Sequence, residues 1–196
     1  MIYWLYEKYL RRNLSTLPGS ICFMITEQDH IEAPGNLSRI TEWCRELGIG
    51  HVTFHISTDD PDRLARYIPE IRTLGEIARL TLRYRETKEV LGSGIDVTVA
   101  IGESGRQEIT ACIRKMAERG VDPEEVDEAR IESFLTFPYE PDLVIKTGGD
   151  YLTDFLIWQS VYSELFFLDV NWPAFRKVDF LRALRDYQAR ARRFGT

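Results

Sequence analysis

Hydrophobic positions along this chain follow two spacings, one typical of β-strands and one typical of α-helices. Short apolar or alternating runs, which favour strands, occupy residues 20–25, 52–57, 78–84, 95–101 and 143–145. Apolar residues at helical spacing predict helices over residues 1–14, 37–47, 62–75, 105–117, 121–134 and 178–192. Because strands and helices alternate along the whole chain, we predict one α/β domain over residues 1–196, with a mainly parallel central sheet and helices on both faces.

The residues from 143 to 162 combine a short strand, a glycine turn and a further predicted helix. Residues 147–150 read Thr-Gly-Gly-Asp, and glycines without a Cβ let backbone amides approach an anion closely. The helix would follow residue 150, because Phe155, Trp158 and Tyr162 recur at helical spacing. A glycine turn before a helix N-terminus suits a diphosphate group. An ordinary strand-to-helix turn has the same pattern, and the residues alone favour that interpretation.

Composition indicates a folded protein with no obvious affinity for nucleic acid. The chain has 196 residues, of which 44% are hydrophobic and 12% aromatic, enough for one domain with a full core. A net charge of −6 leaves no basic excess to neutralise phosphates, so no nucleic-acid partner is expected. Three scattered cysteines, Cys22, Cys44 and Cys112, predict free thiols in a reducing cytoplasm. No apolar run reaches the length of a membrane span, and no signal peptide is recognised.

The predicted N-terminal helix, residues 1–14, is amphipathic and has two interpretations. Tyr3 and Trp4 could anchor it at the headgroups of a membrane surface, as a peripheral contact. Few basic residues accompany them, so attraction to anionic lipid would be weak. We favour a helix that packs on its own domain or on a protein partner.

The C-terminal part of the chain carries a longer and more specific pattern. The motif VIKTGGD is followed by FLIWQSVYSELFFLDVNWPAF. This order resembles the C-terminal signature of cis-prenyltransferases, the undecaprenyl diphosphate synthase family, in which Arg-Thr-Gly-Gly-Glu precedes Trp-Gln, Tyr-Ser-Glu-Leu and Trp-Pro-x-Phe. The resemblance implies a dimeric α/β fold and the condensation of isopentenyl diphosphate onto an allylic diphosphate with Mg2+.

The resemblance also implies a catalytic loop, Asp-Gly-Asn-x-Arg-Trp, after the first strand, whose aspartate holds magnesium. Here Thr26 replaces that aspartate, Glu27 the glycine and His30 the arginine. Thr26 is neutral, and His30 is largely uncharged at neutral pH. Glu27 and Asp29 carry charge but are displaced from the family position. We therefore expect no catalytic residue in this chain alone.

The substrate loop and the product tunnel of the family are also altered. Lys146 replaces the first arginine that holds isopentenyl diphosphate, and the second arginine has no counterpart. Lys146, Gly148 and Gly149 remain candidates for substrate binding within a complex. Between residues 61 and 94 the chain is shorter than family members in which two long helices enclose a hydrophobic tunnel. We expect no such tunnel in this subunit.

In contrast, the parts through which family members pair are retained. Trp158, Tyr162, Glu164 and Trp172 match the dimer face and are predicted interface residues. Glu164 corresponds to a glutamate near the metal site at that interface, which makes it a candidate metal ligand.

The chain ends with Arg193 and Gly195 in the order Arg-x-Gly, followed by Thr196. This ending, residues 193–196, resembles the family motif that crosses the interface and holds diphosphate in the other subunit's site. A frayed basic tail is the alternative, since many chain termini are poorly ordered. With the pairing face retained, the resemblance favours a functional tail.

Loss of catalytic parts together with retention of pairing parts predicts an accessory subunit. The chain most resembles the non-catalytic subunit of heteromeric cis-prenyltransferases, the group that includes the Nogo-B receptor type and small archaeal relatives. Its partner would be a catalytic homologue, in a heterodimer or heterotetramer that makes long-chain polyprenyl diphosphate. The absence of a membrane anchor predicts an archaeal, cytoplasmic version.

Two alternatives stay open at this stage. The first is an active homodimeric synthase that uses Asp29, Lys146 and displaced acidic residues. The second is a non-enzymatic protein that binds a lipid or a protein partner.

Overall fold

The described residues of this computed structural model, 2–148 and 153–194, form a seven-stranded sheet flanked by helices. Side chains are described for residues 5–148 and 153–190. The strands are β1 (Ser20–Thr26), β2 (His51–Ser57), β3 (Arg79–Tyr84), β4 (Thr87–Leu91), β5 (Asp96–Ile101), β6 (Leu143–Thr147) and β7 (Glu164–Leu168). Their order across the sheet is β4-β3-β5-β2-β1-β6-β7, and within the described residues only β4 runs antiparallel. The predicted fold class is confirmed.

Seven α-helices are formed by the described residues. They are α1 (Ile2–Arg12), α2 (Glu27–Glu32), α3 (Asn36–Leu47), α4 (Ile68–Arg72), α5 (Gly105–Glu118), α6 (Glu128–Phe134) and α7 (Lys177–Phe194). Short 3-10 turns occupy Pro61–Tyr67, Thr73–Glu76, Pro123–Glu125 and Trp172–Ala174. α3 ends at Gly48, whose positive φ of 77° is easily adopted by a residue without a Cβ.

The main core lies on one face of the sheet, where alternate strand residues point. Phe23 of β1 is fully buried there, with its ring centroid 5.4 Å from that of Phe54 and 6.1 Å from that of Trp172. A smaller cluster on the opposite face includes Met24 and Phe155. Cys22, Cys44 and Cys112 are buried free thiols, as predicted.

Helix α1 packs against α7 through its inner face. Leu10 is 1% exposed, and Arg182 of α7 lies over the ring of Tyr6 at 5.5 Å. Leu5 and Tyr9 on the outer face remain exposed. Among the described residues no helix combines the length and the apolarity that crossing a membrane requires.

The predicted helix over residues 62–75 is interrupted. A 3-10 turn, the short helix α4 and a second 3-10 turn take its place. Pro69 has no backbone N–H to donate, so it lies in the first turn of α4 and prevents a continuous helix.

The segment after β3, for which the sequence predicted no strand, forms a hairpin. β4 pairs with β3 from Leu80 opposite Leu91 to Tyr84 opposite Thr87. The turn contains Arg85 with a φ of 56°, where glycine or asparagine is usual. The usual sequence signal of a hairpin is therefore missing.

Residues 154–162 form turns rather than the predicted helix. Leu156 has a φ of 52°, which is incompatible with a right-handed helix. Phe155 is 2% exposed and Tyr162 is 93% exposed, so these residues do not share one buried face. The unpredicted strand β7 follows at the edge of the sheet and pairs with β6.

Candidate functional site

The carboxyl ends of parallel strands β2, β1 and β6 meet at one edge of the sheet. Thr26 pairs with Ser57, and Met24 pairs with Lys146. This register brings the altered loop after β1, the turn after β2 and the glycine turn after β6 to the same edge. In open α/β sheets such an edge is the usual place for a ligand site.

Thr26 begins helix α2 through a reciprocal capping box with Asp29. The Thr26 hydroxyl accepts a hydrogen bond from the Asp29 backbone N–H at 3.1 Å. The Asp29 carboxylate accepts from the Thr26 backbone N–H at 2.9 Å and from the Thr26 hydroxyl at 2.7 Å. Both side chains therefore satisfy the N-terminus of a helix. Helix α2 therefore takes the place of the catalytic loop that the resemblance implies after β1.

The carboxylate of Glu27 is also engaged within the protein, by the segment that follows β2. Its carboxylate accepts a hydrogen bond from the Thr58 hydroxyl, and Arg63 lies 3.5 Å away. Sequence analysis missed both partners, because only strand register brings residue 27 to residues 58 and 63.

The described residues at this edge do not suit a magnesium ion. Magnesium needs a near-octahedral set of oxygen ligands, usually with one or two carboxylates and several waters. Asp29 and Glu27 are already engaged in hydrogen bonds with the protein. In the described part of the chain, no three His, Cys, Asp or Glu side chains are grouped to hold a metal ion.

His30, which stands in place of the family arginine, is buried and neutral. Its exposure is 0%, and its ring makes an edge contact with Tyr67 at 5.4 Å between centroids. Burial lowers the pKa of His30 to about 4, because a charged imidazole would lose its hydration. It therefore provides no positive charge for a diphosphate at neutral pH.

His55 is a core histidine. It is 2% exposed, its Nε2 lies 2.9 Å from the Glu103 carbonyl oxygen, and its ring stacks on Phe155 with centroids 4.0 Å apart. Burial lowers its pKa to about 4, although the hydrogen bond to Glu103 opposes this shift.

Lys146 points into the protein. It is 4% exposed, and its ammonium group donates to the Thr147 carbonyl oxygen at 2.7 Å. Burial lowers the pKa of Lys146, and the negative charge of Asp29 opposes this shift. In this position its ammonium group is already bonded within the chain.

The glycine turn after β6 uses one of its amides for the sheet. Gly148 has a φ of 62°, and its N–H donates to the Leu168 carbonyl oxygen at 3.2 Å. Gly149 and Asp150 lie outside the described residues. Substrate binding by Lys146 and by this turn stays a prediction.

The predicted interface residues occupy different environments. Tyr162 is 93% exposed, and Val161 beside it is 67% exposed. Trp158 contacts the same surface, and its indole N–H lies 3.5 Å from the carboxylate of Glu132. Glu164 is bonded to Arg190 of α7 at 3.1 Å.

The structure corrects the prediction that Trp172 is an interface residue. It is 0% exposed, because it stacks on Phe175 and contacts Phe23 and Phe54 in the main core. Arg193 lies in α7, but its side chain and Gly195 are outside the described part.

The segment between β2 and β3 fills the sheet face on which it lies. Its buried side chains are Leu64, Ile68, Ile71 and Leu74, each at most 6% exposed. All four belong to the main core cluster. The apolar side chains of this segment thus pack on the sheet without enclosing a tunnel between them and it.

Comparisons with known proteins give one consistent family. A family model described as "Putative undecaprenyl diphosphate synthase" matches residues 66–195. A tritrans,polycis-undecaprenyl-diphosphate synthase (geranylgeranyl-diphosphate specific) of Methanocaldococcus jannaschii is 36% identical, covering 85% of this chain and 74% of the relative. A short-chain Z-isoprenyl diphosphate synthase of Mycobacterium bovis is 38% identical, covering 81% and 75%.

The same fold occurs in lavandulyl diphosphate synthase from Lavandula x intermedia, crystallised with dimethylallyl diphosphate. The TM-score is 0.72 at 20% identity, covering 88% of this chain and 95% of the other.

The sequence alignments also show that this chain is short. The match to the Methanocaldococcus protein spans 207 positions, whereas 85% of 196 residues is about 167, so about 40 positions have no residue here.

Proposed function

We propose that this chain, which belongs to the undecaprenyl diphosphate synthase family of prenyltransferases, is a non-catalytic subunit of a heteromeric cis-prenyltransferase. Its partner is a catalytic homologue, which holds Mg2+ and condenses isopentenyl diphosphate onto an allylic diphosphate. The complex makes a long-chain polyprenyl diphosphate.

The capping box between Thr26 and Asp29 is the observation that carries this proposal. The position that the resemblance assigns to the metal-binding aspartate is a neutral hydroxyl, and the neighbouring carboxylate accepts two hydrogen bonds from Thr26 itself. A magnesium ion would have to break the cap, which contributes about 1 kcal/mol to stability. No replacement carboxylate cluster lies among the described residues.

Two further features support an accessory role. His30 is buried and neutral where a cation would hold the allylic diphosphate. The apolar side chains between β2 and β3 pack directly on the sheet, so a growing isoprenoid has no apolar cavity there. The product chain is enclosed by the partner.

The contact with the partner involves the surface around Trp158 and Tyr162. Exposure of 93% for Tyr162 and 67% for Val161 is typical of an unfilled protein interface. Arg193 and Gly195 complete the diphosphate site of the partner, with Glu164 near the interface.

An active homodimeric synthase is the second candidate, and the names of the relatives are compatible with it. Relatives at 36% and 38% identity are named as synthases. Lys146 and Asp29, whose negative charge opposes the lowering of the Lys146 pKa by burial, would be the remnant of its site.

Prenyl transfer separates the two candidates. The activity of this chain alone, of a catalytic homologue from the same organism alone, and of both co-expressed is measured with labelled isopentenyl diphosphate. We expect activity that requires both chains or rises at least tenfold with both, together with co-elution. Turnover by this chain alone, abolished by Lys146→Ala, would establish the homodimeric synthase instead.

A matched pair of variants tests the contact surface. Tyr162→Glu places a charge on the proposed interface and should prevent co-elution. Tyr9→Glu alters a tyrosine that is 61% exposed on α1 and should leave assembly intact. Equal co-elution of both variants would contradict the assigned surface.

A further inference from the structure

A cavity of about 150 Å3 lies over the middle of the sheet, on the face opposite the main core. Its floor is a row of threonines from three adjacent strands. Thr98 of β5 pairs directly with Thr53 of β2 and with Thr81 of β3. Strand residues on either side of each threonine point into the main core, so the three hydroxyl-bearing side chains share the opposite face.

The threonine hydroxyls have no protein partner among the described residues. None of Thr53, Thr81 and Thr98 makes a side-chain hydrogen bond within the described part of the chain. Thr53 is 8% exposed and lines the cavity, so its hydroxyl is recessed from bulk solvent. Buried hydroxyls are usually satisfied by protein, water or a ligand.

The hairpin β3–β4 adds two positive charges at one side of this cavity. Arg83 and Lys88 lie directly opposite each other in the antiparallel register, and both line the cavity. Like charges directly opposite on a sheet are destabilising unless an anion lies between them. Lys88 has no ion-pair partner among the described residues.

Arg83 is held in place with most of its donors unused. Its Nε lies 3.3 Å from the Glu103 carboxylate, and its guanidinium lies over the Phe137 ring at 5.0 Å. Its two η nitrogens make no hydrogen bond in the described structure. Of the described residues that line the cavity, Arg79, Arg83 and Lys88 are cationic and none is acidic.

The wall opposite the hairpin is fixed by a buried carboxylate. Glu108 of α5 accepts hydrogen bonds from the backbone N–H groups of Thr136 at 2.7 Å and Phe137 at 2.9 Å. Tyr139 continues this wall, with its ring 4.2 Å from that of His51. These contacts fix the shape of the wall, which reduces the ordering cost of binding.

This cavity is separate from the candidate site at the strand ends. Thr53 lies near the start of β2, whereas Ser57, which pairs with Thr26, ends that strand. Neither the capping-box residues nor the described residues of the glycine turn, Thr147 and Gly148, line the cavity.

We propose that this cavity binds the phosphate group of a small soluble molecule. The phosphate oxygens accept hydrogen bonds from Lys88, from the η nitrogens of Arg83 and from the threonine hydroxyls, and they relieve the like-charge pair. The volume corresponds to roughly five waters at liquid density. It accommodates a phosphate with a small organic substituent, and its recessed floor is inaccessible to a flat membrane. The inference does not rest on the proposed prenyltransferase role.

The test uses the full 196-residue chain with glycerol 3-phosphate, and with glycerol as the uncharged control, at constant ionic strength. Thermal unfolding and amide NMR shifts are followed during each titration. We expect glycerol 3-phosphate to raise Tm and to shift the amides of Thr81 and Thr98, and glycerol to do neither. Lys88→Ala and Thr98→Val should each weaken binding at least fivefold.

Two controls keep the test specific. Lys115→Ala removes an exposed lysine from α5 and should bind like the original chain. Without ligand, Lys88→Ala should not lower Tm, because it removes one member of the like-charge pair. Thr98→Val keeps the β-branched shape of the strand residue, so its fold should persist.

Three results would overturn the proposal. Absence of binding by the original chain would show a merely hydrated groove. Equal weakening by Lys115→Ala, or undiminished binding by Lys88→Ala and Thr98→Val, would place the phosphate elsewhere. Lys88-dependent sedimentation with phosphatidic acid vesicles, without binding of glycerol 3-phosphate, would identify a lipid headgroup as the phosphate source.

Discussion

His30 occupies a fully buried position in which neither ring nitrogen has a hydrogen-bond partner among the described residues. A buried imidazole without partners is tolerated only in its neutral form, since protonation would place an unpaired charge in the core. His30, which stands where the resemblance implies an arginine, thus makes the free energy of unfolding sensitive to acid.

Replacing His30 with leucine should remove part of this sensitivity. The pKa of His30 is about 4 in the folded chain and about 6.5 when unfolded. Between these values only the unfolded chain binds the proton, so stability falls as pH drops from 6.5 towards 4. The full loss is about 3 kcal/mol. Urea unfolding at pH 7 and pH 4.5 should show a smaller difference for His30→Leu. An unchanged difference would contradict the buried neutral state.

The capping role of Thr26 could have been predicted from the sequence alone. Thr26-Glu-Gln-Asp29 has the spacing of a capping box, with an acid three residues after the threonine. The family resemblance instead led us to interpret Thr26 as a lost aspartate and not as a helix cap. The engagement of Glu27 by Thr58 was not predictable, because it depends on the register of β1 and β2.

At the scale of elements, strands and helices with a single clear period were predicted well. β1, β2 and β5 are apolar runs that lie in the middle of the sheet, and α3 is amphipathic with a glycine stop. The hairpin strand β4 was missed, because its turn residue Arg85 adopts a positive φ without glycine. The prediction of a helix after residue 150 was wrong, because Phe155, Trp158 and Tyr162 recur at helical spacing without sharing one buried face.

Glu108 shows how one helix holds an irregular segment in place. Its carboxylate accepts from two backbone amides, and its other oxygen accepts from the Gln159 side-chain amide at 3.3 Å. Segment 135–139 is not part of a strand or helix, so these bonds replace those of regular structure.

Glu108→Ala should therefore destabilise the chain by about 2–4 kcal/mol, since the Thr136 and Phe137 amides lose a charged acceptor. Hydrogen exchange should accelerate at these two amides more than in β1. Glu108→Gln retains one carbonyl acceptor and serves as the control with a smaller effect. Equal exchange rates in the alanine variant and the original chain would contradict this role.

At the scale of the whole molecule, the fold is that of the family, while two segments differ from what the family resemblance implies. The sheet matches a lavandulyl diphosphate synthase with a TM-score of 0.72. In contrast, the loop after β1 is a capped helix and the segment after β2 packs on the core. A chain that keeps the framework without these parts can still contribute residues to a partner's site.

The most direct test of this account is the turnover of the complex after Arg193→Ala. The substitution removes a proposed phosphate donor without altering the contact surface, so prenyl transfer should fall at least tenfold while co-elution persists. Arg192→Ala, which removes the adjacent arginine, is the matched control and should retain activity. Unchanged turnover in Arg193→Ala, with the complex intact, would contradict the claim that this chain completes the active site of its partner.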